Sequence, residues 1–171
     1  MKMLAIILLC ILCAVCYGIV HDQITARICV EYFTIGHPPV FRTESPTLLG
    51  LGWGVIATWW VGLIVGVPLA LAARCGSLPK RPVISLIRPI LTLLLVMAVS
   101  ATLAGCIGYL LARNGNVWLA GRLASRVPHE RHVAFLADLW AHSASYLVGF
   151  IVGIVLIFST WRSRKRQSWP G

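Results

Sequence analysis

Acidic residues are almost missing from this chain. It has five in 171 residues, against 15 lysines and arginines. Charged residues of both signs make up only 12%, about half the roughly 25% of a soluble domain. With a mean hydropathy of +0.85, that scarcity excludes an ordinary soluble globular fold. The fingerprints of common enzymes are missing too. There is no G-x-x-x-x-G-K-[ST], no G-x-G-x-x-G and no G-x-S-x-G, so no phosphate cradle, dinucleotide turn or nucleophile elbow is announced. Enzymatic activity has no motif behind it.

What is present is four long apolar runs, over about 3–20, 48–73, 89–112 and 133–161. Each is near or above the roughly 20 residues that carry a helix across about 30 Å of hydrocarbon. In lipid a helix satisfies its own backbone groups, so helices are the expected form. The predicted fold is all-α: one membrane domain, 1–171, built as a compact four-transmembrane-helix bundle with a small outer polar cap. The connections 21–47 and 113–132 form the cap, and 162–171 form a basic tail. Run one also fits a secretory signal peptide, since Lys2 precedes an apolar stretch. An uncleaved anchor is preferred, because Cys16–Tyr17–Gly18 is a poor small-x-small cleavage site.

Lysine and arginine mark the cytoplasmic side of a membrane protein. With the amino terminus inside, nine basic residues face the cytoplasm and six face out. Both termini are then cytoplasmic. All five acids and all five histidines fall on the outer side. The basic inner face is explained by topology and by anionic lipid headgroups, and implies no nucleic acid. The sorted histidines and acids suggest a polar site in the outer layer.

Residues 21–39, HDQITARICVEYFTIGHPP, read as a helical continuation of run one. Helical spacing puts His21, Ile24, Thr25, Ile28 and Tyr32 on one face. It pairs Arg27 with Glu31 four residues on, and turns Asp22 away from both. Gly36 and Pro38–Pro39 end the helix. In run four, Asp138 and His142 are one turn apart. Ionisable groups inside a span are expensive and mark functional sites by default. The expected contact is between the start of run four and His21, with Asp138 orienting an imidazole. His129–Glu130–Arg131–His132 is H-E-x-H, so the helical zinc-protease spacing H-E-x-x-H fails.

Small residues recur every four positions in run two (Gly50, Gly54, Thr58, Gly62, Gly66, Ala70) and again in runs three and four. That spacing lets helix backbones approach closely. It predicts a tight bundle, or homo- or hetero-oligomer contact through one stripe. Trp59–Trp60 sits too deep for an interfacial belt, so at least one ring is expected against another helix or over the outer polar cluster, with Thr58 and Trp59–Trp60 closing that site from below. Trp161 and Trp169 mark the inner interface, and VWLAGRLASRV, from Val117, an interfacial helix. Cys10, Cys13 and Cys16 in run one read as small hydrophobes.

His21–Asp22–Gln23, Glu31–Tyr32–Phe33–Thr34 and Ala57–Thr58–Trp59–Trp60 together resemble a group of small bacterial four-span membrane proteins. The likeness covers mainly residues 21–66, with an echo at Asp138–His142. It implies a bacterial inner-membrane protein of four helices and supplies no activity or cofactor.

Three functional expectations follow. The first is an outward-facing site for a metal ion or for protons, with His21, His142 and Asp138 as candidate ligands and Glu31 and His37 as further donors. Two imidazoles and a carboxylate suit a divalent transition metal such as zinc, iron or copper. The second is a non-catalytic accessory protein whose polar cap binds a partner. The third, ranked last, is haem held by His21 and His142.

Overall fold

The computed structural model describes residues 1–167 and contains no strand among them. Four helical segments are long and apolar enough to cross a membrane: Lys2–Ile28, Pro46–Arg74, Ile84–Arg113 and His129–Gln167. The chain is an all-α, four-helix, multi-pass membrane protein. Every segment is longer than its apolar run. Helical hydrogen bonding continues through the polar flanks, which hydropathy alone does not mark. Trp169 lies outside the described residues.

Helix α1 (Lys2–Ile28) carries the first span. Cys29 breaks it with an extended backbone, φ −147°, and α2 (Val30–Thr34) turns back over the bundle end. The second span is two helices, α3 (Pro46–Ile56) and α4 (Trp59–Arg74). Ser45 caps α3 and Pro46 begins it, the usual order for a helix start. The break at Ala57–Thr58 has a local cause. The Thr58 hydroxyl donates back to the Gly54 carbonyl, a bond that bends helices. The Tyr146 hydroxyl donates to the Ala57 carbonyl across the bundle at 3.3 Å. Helix α5 (Ile84–Arg113) forms span three. After the short α6 (Gly121–Arg126) and a 3-10 turn, α7 (His132–Gln167) forms span four.

Helix α1 packs along both halves of span two, α5 packs along α7, and α4 joins the pairs through α7. The four-residue glycine repeat makes the first pairing. A Cβ on Gly54 would stand 2.6 Å from the Ile19 Cα, and one on Gly62 2.6 Å from the Ile11 Cα. Any side chain there would push the helices apart. The stripe therefore packs against α1 of the same chain. Trp59 and Trp60 depart from expectation, for both are exposed, 47% and 44%. In lipid an exposed indole needs no protein partner.

The ends are stapled differently. At the basic end, Arg164 is 1% exposed. It lies in the stretch read as a basic tail, of which the residues up to Gln167 instead continue α7. Its guanidinium donates to the carbonyls of Ala72, Cys75, Leu78 and Pro79 at 2.6 to 2.8 Å. It thus collects orphan carbonyls at the C-terminus of α4 and in the following loop. At the histidine end, Arg131 bonds Glu31 at 2.9 Å and the Ile28 carbonyl at 3.1 Å. The expected Arg27–Glu31 pair does not form. Arg27 binds Gln23 and Thr47, because the break at Cys29 takes Glu31 off the α1 register.

Candidate functional site

Helix α1 presents His21 and Asp22 on adjacent positions, and α7 presents His142 opposite them. One ligating atom from each of these three side chains lies within 4.8 Å of the others. The His21 and His142 rings meet edge to face with centroids 4.5 Å apart. Tyr17 stacks on His21 and Tyr32 stacks on His142. The expected approach of the two histidines is thus found.

Asp22 is the residue that the sequence reading misplaced. It is buried, 5% exposed, whereas Ile24 and Ile28 are 59% and 45% exposed. The apolar face of α1 looks out toward lipid, and the face holding Asp22 and Thr25 looks in. The rule that apolar residues face inward belongs to water-soluble helices. A buried acid beside a histidine was the available signal.

The hydrogen bonds define the electronics. His142 Nδ1 lies 2.8 Å from the Asp138 carbonyl oxygen. A carbonyl only accepts, so Nδ1 carries the proton. The other nitrogen, Nε2, lies 3.2 Å from Asp22 Oδ1. With a neutral ring and an ionised carboxylate, two lone pairs face each other there. A cation relieves that contact, either a proton or a metal ion. His21 adds a buried Nε2 without a hydrogen-bond partner.

Asp138 plays a different part from the expected one. Its carbonyl, not its carboxylate, orients His142. The carboxylate stands outside the three-residue cluster, 1% exposed and with neither oxygen bonded. Glu31 and His37 are also outside the cluster. Glu31 is held by Arg131. Partial burial pushes its carboxyl up, and its own backbone amide, Arg131 and Cys29 outweigh that and leave it below the ordinary range. His37 donates from Nδ1 to the Tyr32 carbonyl at 2.8 Å and stacks on Phe33. Burial pulls its pKa below the usual imidazole value. Of the H-E-x-H residues, His132 caps the Val127 carbonyl through Nε2.

Below the cluster a cleft of about 70 Å³ runs down between α1, α4, α5 and α7, lined by Thr58, Tyr17, Ser145 and Tyr146 near the histidines. The Tyr17 hydroxyl and Ser145 Oγ are 2.8 Å apart. Thr58 therefore closes the site from below as expected, and Trp59–Trp60 does not.

The donor set fits a transition metal. Two imidazoles and one carboxylate leave a coordination position open, and the Asp138 carbonyl behind His142 fixes its tautomer by accepting from Nδ1. Ligands about 2.0–2.1 Å from a tetrahedral ion sit roughly 3.4 Å apart. Two rings in edge contact leave no slot for a haem plane between them.

These features define a multi-pass membrane protein with a buried His–Asp–His cluster at one end of its bundle. Comparison with protein-family models, curated proteins and solved structures returned no match, so the functional reading stands on the geometry.

Proposed function

We propose that the chain is a bacterial inner-membrane protein that binds a transition-metal ion through His21, Asp22 and His142 on the outward side of the bundle. The observation carrying this reading is the clustering of His21, Asp22 and His142, whose ligating atoms lie within 4.8 Å of one another, with His142 Nε2 3.2 Å from Asp22 Oδ1 and His21 Nε2 unpartnered beside them. The bacterial assignment rests on the resemblance at residues 21–66. The orientation rests on the nine-to-six distribution of basic residues, with both termini cytoplasmic and the basic end against anionic lipid headgroups.

Metal analysis of the purified protein, followed by zinc(II) and copper titration in detergent, tests the site. His21→Ala, His142→Ala and Asp22→Ala should each lower affinity tenfold or more. His37→Ala should bind like the parent. Equal binding by all four variants overturns the metal reading. Topology is tested separately. Reporter fusions after Gly171 and within 78–83 should report cytoplasm, and one within 114–116 the opposite side. A periplasmic signal from the Gly171 fusion reverses the orientation.

A further inference from the structure

A metal ion uses three donor atoms and leaves the cleft beneath them without a task. On α1, Cys10, Ala14, Tyr17 and His21 line that cleft. They recur along one helix face, over about 16 Å of helix rise. Ile90, Leu93 and Met97 of α5 and Leu156 of α7 line its lower part. The volume of about 70 Å³ has room for roughly five waters, yet walls of carbon and sulfur give water few partners. An apolar chain suits them better. Helix α1 packs on span two and only grazes α5 and α7. Cys13 and Tyr17 of α1 and Leu94 of α5 line the cleft and are half-buried. The cleft is therefore reached from the hydrocarbon between α1 and α5.

The head of the cleft sets the chemistry of what fills it. His142 Nε2 offers a lone pair, because Nδ1 holds the proton. Asp22 Oδ1 stands 3.2 Å from it, so the carboxylate meets a histidine where a cation belongs. His21 Nε2 is buried without a partner. We propose that cluster and cleft together take a primary alkylammonium ion, its head among His21, Asp22 and His142 and its chain down the cleft. An ammonium group has three N–H donors and no acceptor, one donor for each of those three atoms. Its single charge matches the single carboxylate of the cluster, and hydrogen bonds between charged partners are the strong ones. That matters in a low-dielectric interior, where an uncompensated charge is costly. The same count excludes other heads. An alcohol brings no charge, a carboxylate repels Asp22, and a quaternary ammonium has no N–H to donate. Binding makes and breaks no covalent bond.

This inference rests on the cluster being a cation site, and the test separates it from the metal reading. The metal-free full chain in maltoside detergent is titrated calorimetrically with octylammonium, with empty micelles as the blank. Zinc(II) binding is measured on the same proteins. The parent should bind one octylammonium per chain, and zinc should compete with it. Octanol, octanoate and octyltrimethylammonium should each bind at least tenfold more weakly. So should ethylammonium, which has the head without the chain and so tests the cleft without any variant. Asp22→Asn keeps the shape, removes the charge and should lose octylammonium affinity tenfold or more. Ala14→Leu narrows the cleft and should lose as much, yet bind zinc and melt like the parent. Parental octylammonium affinity in Asp22→Asn or Ala14→Leu overturns the proposal, and so does equal binding of octanol, octanoate or ethylammonium by the parent. Zinc binding without octylammonium binding overturns it while the metal reading stands. Octylammonium binding without zinc binding supports it and overturns the metal reading instead.

Discussion

His142 Nε2 and Asp22 Oδ1 stand 3.2 Å apart, from two helices 120 residues distant in sequence. Because His142 Nδ1 is committed to the Asp138 carbonyl, this contact is repulsive for a neutral ring and an ionised acid. Asp22→Asn tests that statement. The asparagine amide can donate to Nε2, so the metal-free variant should melt at or above the parent temperature. Asp22→Ala should melt below Asp22→Asn, by about 1–3 kcal/mol of stability, because it leaves unsatisfied the imidazole nitrogen that the asparagine amide serves. Asparagine melting below alanine would mean that the contact is already bridged by a proton.

Arg164 is the staple of the opposite end. Replacing it with alanine strips one donor group from four partly buried carbonyls. A loss of roughly 3 kcal/mol or more is expected, since each unsatisfied group costs about 1–3 kcal/mol before rehydration. Arg164→Lys keeps the charge without the planar fork and should recover only part. Limited proteolysis between α4 and α5 should speed up in both variants. An unchanged cleavage rate in Arg164→Ala would show that the loop holds itself.

Gly62→Leu probes the α1–α4 contact, where even a Cβ would lie 2.6 Å from the Ile11 Cα. Overpacking of that kind costs about 1–3 kcal/mol, read as a lower melting temperature in detergent. Ile64→Ala, at a position 55% exposed, should change little. Equal melting of Gly62→Leu and the parent would contradict the close approach.

His37 gives a pH dependence. Burial lowers its folded pKa below the usual imidazole value of 6.5, so the unfolded chain takes up the proton first. Its contribution is therefore fully present above pH 6.5 and is lost as pH falls below that value. The melting temperature should drop on acidification from pH 7 toward 5, and His37→Gln should flatten that drop. Glu31 adds to the loss only at lower pH, because its folded pKa lies below the usual glutamate value of 4.5. A slope unaltered in His37→Gln would assign the effect elsewhere.

The two histidines were legible as site residues because ionisable groups are rare in this chain and these two fall at matching depth in spans one and four. The carboxylate partner was legible as a type and wrong as a residue. Asp138 is one turn from His142, so local spacing favoured it. The helix register instead gives His142 the Asp138 carbonyl, and the carboxylate that faces the ring comes from α1. The Arg27–Glu31 pair failed for a related reason. A single extended residue, Cys29, ends the helical register on which the i, i+4 rule depends.

Hydropathy, the glycine repeat and the scarcity of acids determined four helices, a membrane location and a close helix approach along span two, because each follows from periodic or compositional terms summed along one segment; that α1 is the helix approached came from the structure. Only the tertiary structure decided which face of α1 looks inward, where Arg164 is buried, and that Cys10 and Cys13 share a cleft with Met97. Those depend on how helices rotate about their own axes. In lipid both faces of a helix can be apolar, so rotation is set by packing against neighbours, which no single segment encodes.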